Sequence, residues 1–202
     1  MQAVLVQKSD RGSRMDKRVM KPGNMLAPVP AALISCRGKD GKDNLITIAW
    51  TGTACSDPVM VYISVNPSRY SHHMIEETGE FVLNLTTESI IRQTDICGVK
   101  SGRDVDKWEL TGLTKKEASV VNVPLVAESP VNLECKVKQI LRLGSHDMFL
   151  AEVVAVDADE SLFDKNDRFD LNKAGLVAFS HGEYLALGKK VGSFGYAVRK
   201  KK

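Results

Sequence analysis

The chain has 202 residues, enough for one domain that buries its core without disulfides or a structural metal. Its 43% hydrophobic and 26% charged side chains are values of a soluble globular protein, and no run approaches the roughly 18 uninterrupted apolar residues of a membrane helix. The formal net charge of +3 is modest and spread along the chain, so no electrostatic footprint for nucleic acid is expected.

In chain order, residues 1–20 read as an N-terminal extension. The apolar stretch 1–6 is too short for a secretory signal, 8–18 is polar and charged, and Met15 would serve equally well as a start. Residues 31–37 are an apolar run ending at the polar turn Gly38-Lys39-Asp40-Gly41-Lys42-Asp43-Asn44. Residues 45–51 resume with β-branched and aromatic side chains, so the pair predicts a β-hairpin. After Asp57-Pro58, residues 59–65 predict a strand with Val59, Val61, Ile63 and Val65 on one face. Asn66-Pro67-Ser68 opens a helix to about Glu77, closed by Gly79. A strand over 81–85 and a helix over 88–97, stopped near Gly98, come next. Residues 98–130 lack periodicity and predict a long excursion, of a kind that is often functional.

Val131, Leu133, Cys135 and Val137 then alternate with Asn132, Glu134, Lys136 and Lys138, the pattern of a half-buried antiparallel strand. Gly144-Ser145-His146-Asp147 makes a turn and 148–156 returns as a strand. A polar connection (163–173), a brief apolar run (176–179) and a Gly-rich stretch follow. Residues 191–202, ending in Arg199-Lys200-Lys201-Lys202, predict a flexible, solvated basic tail. The sum is a mainly β domain over 21–190, an antiparallel barrel decorated with helices.

Cys36, Cys55, Cys97 and Cys135 never form a C-x-x-C pair, which argues against zinc and iron–sulfur sites. Without a secretory signal they read as reduced thiols of a cytoplasmic protein. Adjacent His72-His73 would point in different directions on a helix, with no carboxylate cluster at ligand spacing. Five residues separate Gly182 from Gly188, and Lys190 stands where a P-loop needs Ser or Thr. Neither 98–102 nor 188–195 matches the dinucleotide fingerprint.

The ordered motifs carry more. Asn44-Leu45-Ile46-Thr47-Ile48-Ala49-Trp50 runs into the small and hydroxyl residues Thr51-Gly52-Thr53-Ala54-Cys55-Ser56-Asp57-Pro58. After the next strand come Asn66-Pro67-Ser68-Arg69-Tyr70-Ser71-His72-His73 and Gly79-Glu80-Phe81-Val82-Leu83-Asn84-Leu85. Here the chain resembles the flavoredoxin and flavin reductase-like family, from about Pro28 to about Gly188. That family's recurring order is Asn…Thr-x-Ala/Ser-Trp, a small-residue loop, Ser-x-Pro, a strand, a basic and hydroxyl helix start, and Gly-Glu-Phe-x-x-Asn-Leu.

The resemblance implies an FMN-binding split β-barrel of antiparallel, Greek-key type, working as a homodimer with FMN near the subunit interface. NAD(P)H or a redox protein would be the electron donor. A resident carrier flavin is favoured, because the sequence has no recognisable nicotinamide motif. The alternatives are an NAD(P)H:flavin oxidoreductase using FMN as a diffusible substrate, and a non-catalytic flavin-binding or sensor module.

Residue by residue, an isoalloxazine needs a flat slot with donors and acceptors along one edge. Asn44, Thr47, Ile48, Ala49, Trp50, Thr51, Thr53 and Cys55 are the candidates to supply it. Trp50 keeps two readings, pocket wall or strand core. Cys55 keeps three: ring contact, packing residue or redox thiol. By type alone Ser68-Arg69-Tyr70-Ser71 is more often an N-cap with a solvated Arg than an anion site. The resemblance assigns Ser68, Arg69 and Ser71 to the phosphate, with Ser71 standing where relatives often carry Thr. It also places Ser101 and Lys107 at the flavin, Lys107 stabilising negative charge, against the reading of a solvated lysine. His146, the one candidate for a catalytic role, is a turn residue that the resemblance brings to the flavin. Phe179, grouped with His181 and Tyr184, covers the ring from the same or a partner subunit, or is core.

Overall fold

A computed structural model describes residues 17–198. Most of the expected N-terminal extension and the Arg199–Lys202 cluster therefore lie outside the described residues. A two-residue strand β1 (Val29–Pro30) leads into the predicted hairpin of β2 (Ala32–Arg37) and β3 (Asp43–Ile48), paired from Ala32↔Ile48 to Arg37↔Asp43. Gly41 takes φ 80° in the turn, a left-handed value that suits glycine.

The expected strand over 45–51 is interrupted. Residues 49–50 turn the chain, and the small and hydroxyl residues read as a loop form β4 (Thr51–Ser56), hairpinned to β5 (Val59–Val65). Small residues are weak strand formers on their own, but pairing overrides that weakness. Thr51 Oγ1 donates to Tyr62 O at 2.6 Å, and Ser64 N donates to Trp50 O at 2.9 Å. Gly52 suits the close pairing, since an added Cβ would crowd the Tyr62 ring at 3.1 Å. On β5, Val61, Ile63 and Val65 face inward as the alternation predicts, while Val59 at the strand start is exposed.

Helix α1 (Tyr70–Thr78) ends at Gly79 with φ 70°, and β6 (Glu80–Leu85) follows. A short 3₁₀ turn precedes α2 (Ile91–Val99). This helix runs through Gly98 instead of stopping there, and Gly98 serves close packing on β3, where an added Cβ would sit 3.3 Å from Thr47 Cβ. The excursion holds α3 (Lys107–Thr111), whose first turn is capped by Asp106 accepting from Trp108 N and Glu109 N, and the small ribbon β7 (Lys115–Lys116) and β8 (Leu125–Val126).

The long pair β9 (Val131–Arg142) and β10 (Asp147–Ala158) completes a seven-stranded antiparallel sheet of order β3-β2-β6-β9-β10-β5-β4. Its two edge strands, β3 and β4, are consecutive in the chain, so the sheet curls into a barrel around Ile34, Ile63, Val65, Phe81 and Phe149. A second cluster, including Leu33, Leu45, Cys97 and Trp108, seats α2 and α3 against the outside of β2 and β3.

Beyond residue 180 the sequence suggested only a Gly-rich stretch. The structure has a hairpin of β11 (Val177–Ser180) and β12 (Glu183–Ala186), joined to β1 in a three-stranded sheet. Its two-residue turn takes φ 51° at His181 and φ 87° at Gly182, the positive-φ pair that twisted hairpins favour. No helix among the described residues is long and apolar enough to cross a membrane.

Candidate functional site

A groove follows β3 toward the start of α1 in two confluent parts that share Ile46, Arg69 and Gly98. Strand β3 is hydrogen-bonded in the sheet on one side only, by β2. Its free edge therefore offers backbone N–H and C=O groups along the groove.

One part, of about 170 Å³, is lined by Asn44, Ser68, Arg69, Ser71, Ser101, Lys107 and their neighbours. Asn44 is buried on β3 and donates from Nδ2 to Ser71 Oγ at 2.8 Å, which locks the strand to the first turn of α1. Arg69 caps that helix with extended backbone and no side-chain cap bond, and this exposed residue lines both parts of the groove. Ser68 N donates to Asn66 Oδ1 at 2.9 Å, and Ser101 Oγ accepts from Arg103 N at 3.2 Å.

Lys107 is the decisive member. It is 3% exposed, and its Nζ donates to Leu45 O at 2.7 Å and Cys97 O at 2.8 Å, leaving one of three ammonium donors. Burial pulls its pKa below the usual lysine range; the nearby Cys97 and Cys36 oppose that shift, and Arg69 adds to it. Those thiols give no counter-charge, since burial pushes Cys36 up to about 12 and Cys97 up to about 11. Four cations, Arg69, Lys100, Arg103 and Lys107, line this part of the groove, with no carboxylate among the described lining residues.

The other part, also about 170 Å³, is lined by Thr47, Ile48, Ala49, Trp50, Ser64 and His146. Trp50 is 43% exposed, so it is a wall and not a core residue. The half-buried His146, at the tip of the β9–β10 hairpin, stacks on it with ring centroids 4.5 Å apart and a 49° tilt. Thr47 Oγ1 donates to Thr94 O at 2.5 Å, so its hydroxyl binds α2 to β3.

Four expected residues lie elsewhere in this chain. Thr51 is buried behind Trp50 and lines an adjoining cleft. Thr53 and Cys55 sit on β4 outside the groove, the Cys55 thiol 3.4 Å from Asp57 O. Phe179 packs on Tyr184 in the β11–β12 hairpin, centroids 5.3 Å apart, and lines neither part. Conversely, sequence reasoning passed over Arg103, Tyr70 and Ser64. Arg103 donates to Ser68 O at 2.9 Å and lies over the Tyr70 ring at 5.6 Å. Its position two residues after Ser101 was the available signal.

A model of the flavin reductase like domain matches residues 25–184. The chain belongs to the flavin reductase-like family. This flavin reductase-like chain is 30% identical over 142 residues to a protein of Archaeoglobus fulgidus whose function is uncharacterized, covering 70% of this chain and 79% of that one. Among solved structures it is similar to the flavoredoxin of Desulfovibrio vulgaris (Miyazaki F), with TM-score 0.83 and 27% identity, covering 91% of this chain and all of that one. The flavoredoxin from Methanosarcina acetivorans matches with TM-score 0.81 and 26% identity over the same shares. The fold is the split barrel of that family, and it is shared by an FMN-binding protein from Thermus thermophilus with TM-score 0.73 and 22% identity.

The groove's residues fit such a flavin. A planar ring would face a strand edge and the Trp50–His146 wall, and an anionic tail would meet Arg69, Lys100, Arg103 and Lys107, with the carboxylates Asp43, Asp104 and Asp106 lining the adjoining cavity that shares Asn44, Tyr70, Gly102 and Arg103.

Proposed function

We propose that the protein binds FMN in this groove and passes electrons through it as a resident carrier flavin. The observation that carries the reading is Lys107, a buried ammonium with two carbonyl partners and no carboxylate. A buried charge without a counter-charge is expensive, and an anionic ligand in the groove it lines supplies one.

Bound FMN contributes acceptance and release of electrons, chemistry that belongs to the cofactor. The chain's own residues do the rest. Arg69 and Arg103, with the hydroxyls of Ser68 and Ser101, hold the phosphate. Lys107 supplies fixed positive charge against the anionic ligand at the groove floor. Trp50 and His146 close the far end and exclude water from it. The chain works as a homodimer with the flavin near the interface, where Phe179 reaches the groove of a second copy. NAD(P)H or a redox protein supplies the electrons.

The test is spectroscopic. Protein incubated with FMN and then desalted is expected to stay yellow, and to be reduced by a redox partner. Rapid bleaching of excess FMN by NADH or NADPH would replace the carrier with a reductase that turns flavin over. Yellow protein that neither donor type reduces would leave a sensor or assembly module. Protein that emerges colourless and binds no flavin in solution would sink the proposal.

A further inference from the structure

Outside the groove lies a cluster of polar and ionisable side chains that lines neither of its parts. His72, on α1, is 5% exposed, and its Nε2 is 2.7 Å from Asp147 Oδ2. Asp147, the first residue of β10 and 4% exposed, also accepts from Arg142, the last residue of β9 and its cross-strand partner. Arg142 reaches back to Glu76 on α1, which lies 3.7 Å from His72 Nδ1. The Phe149 ring packs edge-on against His72, centroids 5.1 Å apart. Burial pushes the Asp147 carboxyl up, and the hydrogen bonds from His72 and Arg142 outweigh it, leaving Asp147 below the ordinary aspartate range.

What the cluster joins matters more than its charge. Asp147 follows His146, which stacks on Trp50 at one end of the groove. His72 follows Ser71, which accepts from Asn44 at the other end, and lies three residues beyond Arg69. Residues 143–146 form a four-residue tip with Gly144 at φ 100°, bridged by Leu143 N donating to His146 O at 3.1 Å and by Ser145 Oγ lying 3.1 Å from His146 Nδ1. These short local bonds fix the tip's own shape, and its placement against α1 is set at its base.

We propose that His72 and Asp147, braced by Arg142 and Glu76, are positioning residues that clamp the β9–β10 tip to α1 and so set the two ends of the flavin groove as one body. The ring wall cannot move without dragging the helix that presents Arg69, and ligand held at one end orders the other. Neither residue touches the ligand; both act through His146 and Arg69. The inference rests on the FMN reading for its ligand, and on contacts independent of any ligand for its geometry.

The experiment separates the two. In flavin-free protein, NMR is expected to show a cross-relaxation signal between the Trp50 indole and the His146 imidazole. Asp147→Asn is expected to abolish it and to weaken FMN binding about tenfold, with a shifted visible spectrum of the bound flavin. Retention of the Trp50–His146 signal in Asp147→Asn would overturn the clamp, whatever happens to flavin. Loss of the signal with unchanged FMN affinity and spectrum would also overturn it, since the tip would then not serve the groove. If the parent protein binds no FMN, the functional reading fails, and the NMR comparison alone decides the clamp. His72→Gln, which keeps a donor toward Asp147, is expected to retain part of the NMR signal and of the FMN affinity, and His72→Phe to lose both; should Asp147→Asn fail to fold, that pair gives the same contrast.

Discussion

Lys107 and Glu134 are both buried charges, and the chain surrounds them in opposite ways. Glu134 is fully buried and accepts from Ser119 N, Ser119 Oγ, Val120 N and Val121 N at 2.8, 2.5, 2.7 and 2.8 Å. Burial pushes its carboxyl up, but these donors win and bring it down to about 2. Lys107 has two carbonyls and no acid, and burial moves it away from its charged form. A charge answered within the chain is architecture. One left incompletely answered beside a cationic groove points to a ligand.

The sharpest way to break that contrast is Glu134→Gln, which turns an amide N–H₂ toward a nest of donors. It is expected to lower the unfolding free energy by about 3 kcal/mol, read from chemical denaturation, with FMN affinity unchanged. Lys107→Met is expected to do the reverse. FMN binding should weaken about 30-fold, equivalent to about 2 kcal/mol for a charged hydrogen bond, while stability falls less than in Glu134→Gln, because removing a desolvated ammonium offsets the two carbonyls left without it. Equal losses of stability in the two variants, with FMN binding intact in both, would place Lys107 in the architecture as well.

Acidity and alkalinity should separate them too. Glu134 has a folded pKa lowered from 4.5 to about 2, so its stabilisation is present above the unfolded value and disappears as pH falls from 4.5 toward about 2. Lys107 is also lowered, but it is a cation. The unfolded chain holds that proton more tightly, so flavin-free protein gains stability as pH rises toward the ordinary lysine value. With FMN bound, the ammonium has its anionic partner and that alkaline gain should shrink. Thermal melts with and without FMN read both limbs. A smaller effect is expected from Thr47→Val, which removes the hydroxyl linking β3 to α2: about 1 kcal/mol of stability and little change at the phosphate end.

Much of this site was legible because its residues follow one another along the chain. Asn44 through Trp50, and Ser68 through Ser71, lie on two consecutive pieces of backbone that Asn44 and Ser71 join directly. Linear continuity also misled: Thr53 and Cys55 follow Trp50 in sequence, but the turn at 49–50 carries them onto β4 and away from the groove. The burial of Lys107 was not readable, since lysine is rarely buried and its enclosure comes from α2 and α3 packing on β3, with Leu45 62 positions away. The β11–β12 hairpin was missed for a local reason, a histidine at a positive-φ turn position where Asn or Gly would have signalled it. The His72–Asp147 pair spans 75 positions and leaves no mark in periodicity or spacing.

Titration calorimetry with FMN and with riboflavin, which lacks the phosphate, tests the central assignment most directly. With Arg69, Lys100, Arg103 and Lys107 lining one end of the groove and no opposing carboxylate among its described residues, FMN is expected to bind at least about tenfold more tightly than riboflavin. That preference should shrink as salt is added. Equal affinity for the two, or no binding of either, would contradict the assignment of this groove to FMN.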